Sequence, residues 1–246
     1  MSDYAENQRG MSRRRFLAGV GAASTLGGVL NTHLLASDAK PFTLASLPYS
    51  YAALEPYINQ ATMQRHHDTI CAAYVSNLNK LAADHAPYLT RKKVEDIVAR
   101  GLYTVPEEIR EGVRENAGGI MNHDLFFRGM TPNAGEAPVG KLAEAIQNTF
   151  ASYDKWKEKF TAVALKRAGS GWAWLVRGDM GKLEITSTQN QDSPWANMQY
   201  PIVGLDVCEH AYQLQYQTRC ADYIAAWYNV VNWTEAEKRF GSAPKG

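Results

Sequence analysis

Three cysteines occur in 246 residues and none forms a C-x-x-C pair, which excludes a structural zinc knuckle. Three thiols cannot all pair within one chain, so at least one is free or bonded between subunits. Charge of one sign is also missing. The formal net charge is +1, and with four arginines, two aspartates and one glutamate of residues 1–39 set aside, 22 basic and 22 acidic residues remain. A neutral body gives no basis for binding nucleic acid. No internal repeat or low-complexity tract appears. What is present is a 45% hydrophobic chain, ample for one compact unit or two small ones.

A long undiluted apolar run is lacking as well. Ala18 to Leu30 is shorter than the roughly 20 residues a spanning helix needs and is diluted by Gly19, Gly21, Gly27 and Gly28. Ser12-Arg13-Arg14-Arg15-Phe16-Leu17 precedes it, and Ser37-Asp38-Ala39 offers small residues for cleavage before Lys40. This order predicts a twin-arginine signal peptide over residues 1–39, rather than a membrane anchor. The expected partner of the precursor is the twin-arginine export machinery, and the expected destination is the periplasm or another exported location. That route carries proteins that fold and take up metal before crossing, which fits a metalloprotein.

Pro201 to Tyr212, PIVGLDVCEHAY, organises the rest. An apolar run delivers Asp206 to the end of a strand, and the following turn presents His210 four residues later. That is half of a metal site. His66 in TMQRHHDTICAAYVSNLN and His123 in AGGIMNHDLFF lie on helical patterns upstream. A lone histidine on such a pattern is more often a core residue; with the downstream stations the balance reverses. Three imidazoles and one carboxylate suit a first-row transition metal of intermediate hardness. His67 and His85 are read as structural or solvent-exposed.

Thr62 to about Leu81 reads as one helix on which His66, Ile70 and Tyr74 share a face. Thr104-Val105-Pro106-Glu107 reads as a capping box opening a second long helix to about Phe127. On it Gly119, His123 and Phe127 face one way. A mid-helix glycine costs about 1 kcal/mol against alanine, so Gly119 implies that something else needs the space. Thr131 to Gly135 breaks the chain. Helices over 141–150 and 153–166 come next, then strands at 171–176, 183–187 and 201–207, a helix after Ala221, and a second capping box at Thr234 and Glu237. The expected fold is α+β: an antiparallel helical hairpin over 40–134, then an α/β domain over 135–246 with a small three-stranded antiparallel sheet.

LPYSYAALEP, YVSNLN, NHDLFF, TQNQD, GWAWL, DVCEHAY and NVVNW fall in an order that resembles the iron/manganese superoxide dismutases, from Leu47 to Phe240. The resemblance implies metal ligation by His66, His123, Asp206 and His210, with one manganese or iron ion per subunit cycling while superoxide becomes dioxygen and hydrogen peroxide. It implies catalytic roles for Tyr74 and Gln191, and a homodimer or dimer of dimers through Glu209-His210, Glu209 reaching the other subunit's ligand. Gly119 and Gln191 follow the manganese-type arrangement, so manganese is the preferred reading and iron the second.

Departures from the family pattern accompany these matches. Thr69-Ile70-Cys71 stands where the family has lysine-histidine-histidine, and the first of those histidines is the substrate gate. Gln213 replaces its tyrosine partner across the dimer, Cys208 replaces a tryptophan beside the metal, and Phe127 replaces another. Cys71 and Cys208 are expected near enough to influence each other, with Cys220 the outlier. The leading expectation is an exported dismutase; the alternative is a dismutase-fold metal-binding protein with low or no dismutase activity.

Overall fold

Asn59 starts the first helix by accepting the Thr62 N–H at 2.9 Å. The structure, a computed structural model, describes residues 40–178 and 181–243. The leader expected over 1–39, and Asp179 and Met180 between the first two strands, lie outside the described residues. Helix α1 (Gln60–Arg65) continues through a π-helical turn (His66–Cys71) into α2 (Ala72–Asp84). The Ala72 N–H reaches back five residues to His67 O. A widened turn holds one residue more than an α-turn and so shifts the phase of the helix beyond it. His66 and Tyr74 still share a side, both rings lying against His123 at 4.9 and 5.4 Å. Cys71, 2% exposed, takes the buried position after His66, and Ile70 is half-buried beside it.

Short helices α3 (Ala86–Leu89) and α4 (Val94–Ala99) lead to α5 (Glu107–Arg128), which lies along α2. The capping box predicted at its start does not form. Pro106 holds the cap position without a side-chain bond, and Thr104 Oγ1 instead donates to Gly101 O at 2.7 Å. Glu107 and Glu108 in the first turn still oppose the positive helix end. The hairpin buries Val75, Leu78, Ala82, Val113 and Ala117 in a core of its own.

Helices α6 (Gly140–Phe150) and α7 (Tyr153–Lys166) precede strands β1 (Gly171–Arg177), β2 (Leu183–Gln189) and β3 (Tyr200–Asp206). The sheet order is β2-β1-β3, antiparallel throughout. Central β1 is buried along nearly its whole length, which is why it reads as an apolar run without alternation. Its register sets Trp172 opposite Asp206. Helices α8 (Gln213–Tyr216), α9 (Cys220–Trp227) and α10 (Trp233–Ser242) close the chain around a second, aromatic core that includes Trp156, Phe160, Trp174 and Trp227.

The second predicted capping box is also corrected. Asn232, not Thr234, caps α10 through the Glu235 N–H at 3.0 Å. Glu237 turns outward and accepts from the Lys141 and Leu142 N–H groups at 3.0 and 2.7 Å, capping α6 from 96 and 95 residues away. Gly140, at φ +60°, is required there: a Cβ would lie 2.7 Å from Glu237 Oε1. The described residues thus have the α+β fold expected from the sequence. None of their helices is long and apolar enough to cross a membrane.

Candidate metal centre

Four elements each deliver one ligand atom. His66 opens the π turn, His123 lies in the last two turns of α5, Asp206 ends β3, and His210 sits in the 3₁₀ turn Glu209–Ala211. Asp206 Oδ1 accepts the Cys208 N–H at 2.8 Å, which turns Oδ2 toward the three imidazoles. The Nε2 atoms of His210, His66 and His123 lie 3.0, 3.1 and 3.4 Å from that oxygen. His123 Nδ1 is 2.6 Å from Gly119 O. A carbonyl only accepts, so Nδ1 carries the proton and Nε2 keeps its lone pair for the centre.

The charges around the cluster are set by burial and proximity. Burial lowers the His66 pKa to about 3, outweighing the Asp206 carboxylate beside it. Asp206 is fully buried, which alone would raise its pKa. The His210 charge and contacts from all three imidazoles reverse this and hold it well below the usual carboxylate range. For His210 burial opposes the proton, and Asp206 more than compensates, so its pKa is raised.

These residues fit a metal ion. All four ligand atoms fall within 4.8 Å of one another. His66 Nε2 is buried with no hydrogen-bond partner, because its 3.1 Å approach to Asp206 lacks hydrogen-bond alignment. An orphaned imidazole nitrogen in such a place needs an electrophile. Three imidazole nitrogens 3.0 to 3.4 Å from one carboxylate oxygen converge as the donors to a single ion would. Three nitrogens and one oxygen form a donor set for a first-row transition metal.

Around the ligands, Gln191 is 1% exposed. Trp172 Nε1 donates to its side chain at 3.1 Å; an indole N–H only donates, so the contacted atom is Oε1 and the amide orientation is fixed. Gln191 Nε2 then lies 3.9 Å from the Cys208 thiol, which itself donates to Gly171 O at 3.6 Å. The Gln191 main chain is held by Glu115 (3.3 Å) and Asn122 (3.1 Å) of α5. Tyr74 packs 5.4 Å from His123, and a Cβ at Gly119 would fall 2.6 to 2.8 Å from its ring carbons. The space implied by a mid-helix glycine is thus taken by Tyr74. Burial, then Glu115, raises the Tyr74 pKa and keeps the phenol protonated. Phe127 meets His66 edge-on at 5.2 Å.

The remaining expected residues lie further out. Glu209 and Gln213 are exposed, and His210 is the one ligand with appreciable exposure, 19% against 1% or less for the others. Cys71, Cys208 and Cys220 are free thiols, and burial raises the pKa of each. His67 is buried, bonded to Asp68 and Ala45, and so structural. Sequence reasoning missed Trp172, Asn122, Glu115 and Gly118. A Cβ on Gly118 would collide with Gln191 O, so this glycine lets the Gln191 loop rest on α5. Asn122, next to His123, was open to being found; Glu115 gave no local signal.

The family model described as "Iron/manganese superoxide dismutases, alpha-hairpin domain" matches residues 41–131, and "Iron/manganese superoxide dismutases, C-terminal domain" matches 138–239. The chain is 50% identical over 202 residues to "Superoxide dismutase [Mn]" of Listeria monocytogenes, covering 82% of this chain and 98% of that one. It is 49% identical over 203 residues to "Superoxide dismutase [Mn]" of Thermus thermophilus, with the same two coverages. With "Superoxide dismutase [Mn] 1" of Leptolyngbya boryana the identity is 47% over 210 residues, 85% of this chain and 84% of the relative. Identity at this level along nearly the full length of such relatives makes the chain a member of the iron/manganese superoxide dismutase family.

Proposed function

We propose that the protein is an exported superoxide dismutase, using one manganese ion per subunit in preference to iron. The observation that carries the reading is the gathering of three imidazole nitrogens on Asp206 Oδ2, with His66 Nε2 left without a hydrogen-bond partner. When bound, the ion supplies one-electron chemistry: one superoxide is oxidised to dioxygen, and a second, with two protons, is reduced to hydrogen peroxide. His66, His123, Asp206 and His210 hold it. The Gly119 carbonyl fixes the His123 tautomer, and Trp172, Phe126 and Phe127 exclude bulk water. Gln191, its amide oriented by Trp172, is the proposed hydrogen-bond donor that would serve the centre once the ion is held. Tyr74, a phenol kept protonated by burial and packed against His123, is the proposed hydrogen-bond donor beside the centre. Gly119 with Gln191 supports manganese, as do the manganese names of the relatives.

Residues 1–39 serve as a twin-arginine leader, with domains over 40–134 and 135–246 after it, and the mature protein works in the periplasm or outside the cell. Exposed Glu209 beside partly exposed His210 supports a homodimer in which each Glu209 braces the other subunit's His210. Ile70, Cys208, Phe127 and Gln213 make the surroundings of the ligands atypical against the family pattern, and Ile70 in place of a histidine makes them more apolar.

Metal analysis joined to pulse-generated superoxide decay tests the reading. The wild type should carry one manganese per subunit and turn over superoxide. His123→Ala should fold but lose the metal, and retention of metal by that variant would refute the ligand assignment. No decay catalysed by fully loaded wild type would move the function to the alternative, a metal-binding protein of the same fold with little dismutase activity. Replacing Arg13 and Arg14 with lysine should leave precursor in the cytoplasm; normal export of that variant would sink the leader.

A further inference from the structure

Behind the metal centre lies a narrow cavity of about 30 Å³ that the dismutase chemistry does not use. Its walls are the side chains of Leu44, Leu47, Val75, Ile120 and Phe127, with the Cys71 thiol and the His123 ring at the inner end. Asp124 and Arg128, both about half exposed and joined at 2.9 and 3.0 Å, stand at the outer end. The π turn creates the inner end, because it is the extra residue of that turn that swings Cys71 inward.

The size admits about two or three waters or a diatomic molecule, since a water needs roughly 10 to 15 Å³ of such space. The chemistry of the wall selects between them. A buried water needs two to four polar partners, and at the inner end the strong polar side-chain groups are already engaged. His67 is bonded through Nδ1 to Asp68 and through Nε2 to Ala45 O. His123 Nδ1 is bonded to Gly119 O, and its Nε2 faces the ligand cluster. Asp124 and Arg128 satisfy each other at the rim. What remains at the inner end is hydrocarbon, a phenyl ring and a thiol, which is a weak hydrogen-bonding group, while the exposed Ser46 lines the outer part.

We propose that this cavity is a binding site for dioxygen, a holding place for the neutral product beside the centre that makes it. The proposal rests on the dismutase reading for the source of the dioxygen. An apolar wall that accepts a neutral diatomic rejects the superoxide anion, whose charge would be desolvated without a partner. The cavity therefore separates product from substrate by charge alone.

Crystals of the metal-loaded protein, pressurised first with xenon and then with dioxygen, test this. The expected result is one xenon site in contact with Cys71, Val75 and Phe127, and diatomic density at the same place under dioxygen. Ile120→Phe, and independently the milder Val75→Leu, should each abolish that site with metal content unchanged. Absence of xenon or dioxygen from the wild-type cavity would overturn the proposal, and so would an ordered water there with two or more hydrogen bonds. Gas occupancy is read without turnover. A protein that binds both gases but does not accelerate superoxide decay would overturn the dismutase reading and the product role, leaving only an apolar gas cavity.

Discussion

Gly119→Ala separates a stability effect from a functional one at a single methyl group. In a helix interior alanine is favoured over glycine by about 1 kcal/mol. Against that, the new Cβ would sit 2.6, 2.7 and 2.8 Å from Cγ, Cδ1 and Cδ2 of Tyr74. Ordinary carbon contacts are about 3.5 to 4.0 Å, so the ring must retreat by about 1 Å. Overpacking of this kind costs about 1 to 3 kcal/mol, leaving a net destabilisation of about 0 to 2 kcal/mol. A misplacement of about 1 Å at a reacting centre can lower the rate by about 100-fold. The expected signature is a small shift in the thermal midpoint, unchanged metal content, and a large loss in kcat/KM for superoxide decay. Metal content holds because His123 is fixed by the Gly119 carbonyl, which the substitution leaves in place. Gly118→Ala is the contrast: its methyl meets backbone, Gln191 O, and no side chain can move to relieve it. That variant should lose more stability than Gly119→Ala. A Gly119→Ala protein with wild-type kcat/KM, or a crystal structure with Tyr74 unmoved, would refute the reasoning.

Acidifying the metal-free protein below pH 6.5 should lower its stability by about 1.4 kcal/mol per pH unit through His66. The folded state holds that imidazole near about 3, so the unfolded chain takes up a proton that the folded chain refuses. His210, raised in the folded state, adds no slope below 6.5, and Asp206, lowered, adds loss only below its ordinary range. Urea midpoints between pH 6.5 and 4.5 that are no steeper in wild type than in His66→Gln would contradict this. Glu237→Ala removes the acceptor for two N–H groups at the start of α6 and should cost about 1 to 2 kcal/mol. Glu237→Gln should recover part of that loss, and thermal midpoints of the two variants that match wild type would rule out the cap.

The four ligands were legible because each leaves a local trace: an apolar run ending in Asp206, an imidazole four residues on, and two histidines on helical patterns. The strands and long helices were legible for the same reason, through period and length. The phase of the first long helix was not, since a π turn inserts no residue type that announces it; it shows only in the Ala72 N–H reaching back to His67 O. Both capping boxes failed because their side chains have competing partners, for Thr104 the nearby Gly101 carbonyl. Glu237 finds α6 across the fold, and Asn232, two residues before Thr234, takes the cap of α10. Trp172 and Glu115 act on Gln191 from β1 and α5, so their roles exist only once those elements have met.

The spread of the ligands over four elements has a kinetic consequence. His123 and His210 are 87 residues apart in sequence, yet their Nε2 atoms lie 3.4 Å apart. An ion held between them ties α5 to the end of β3 as a crosslink would, and only the folded chain presents all four ligands. Such an ion raises the free energy of unfolding with its concentration. Release of such an ion would then be coupled to the parting of α5 from the sheet, a sub-global opening.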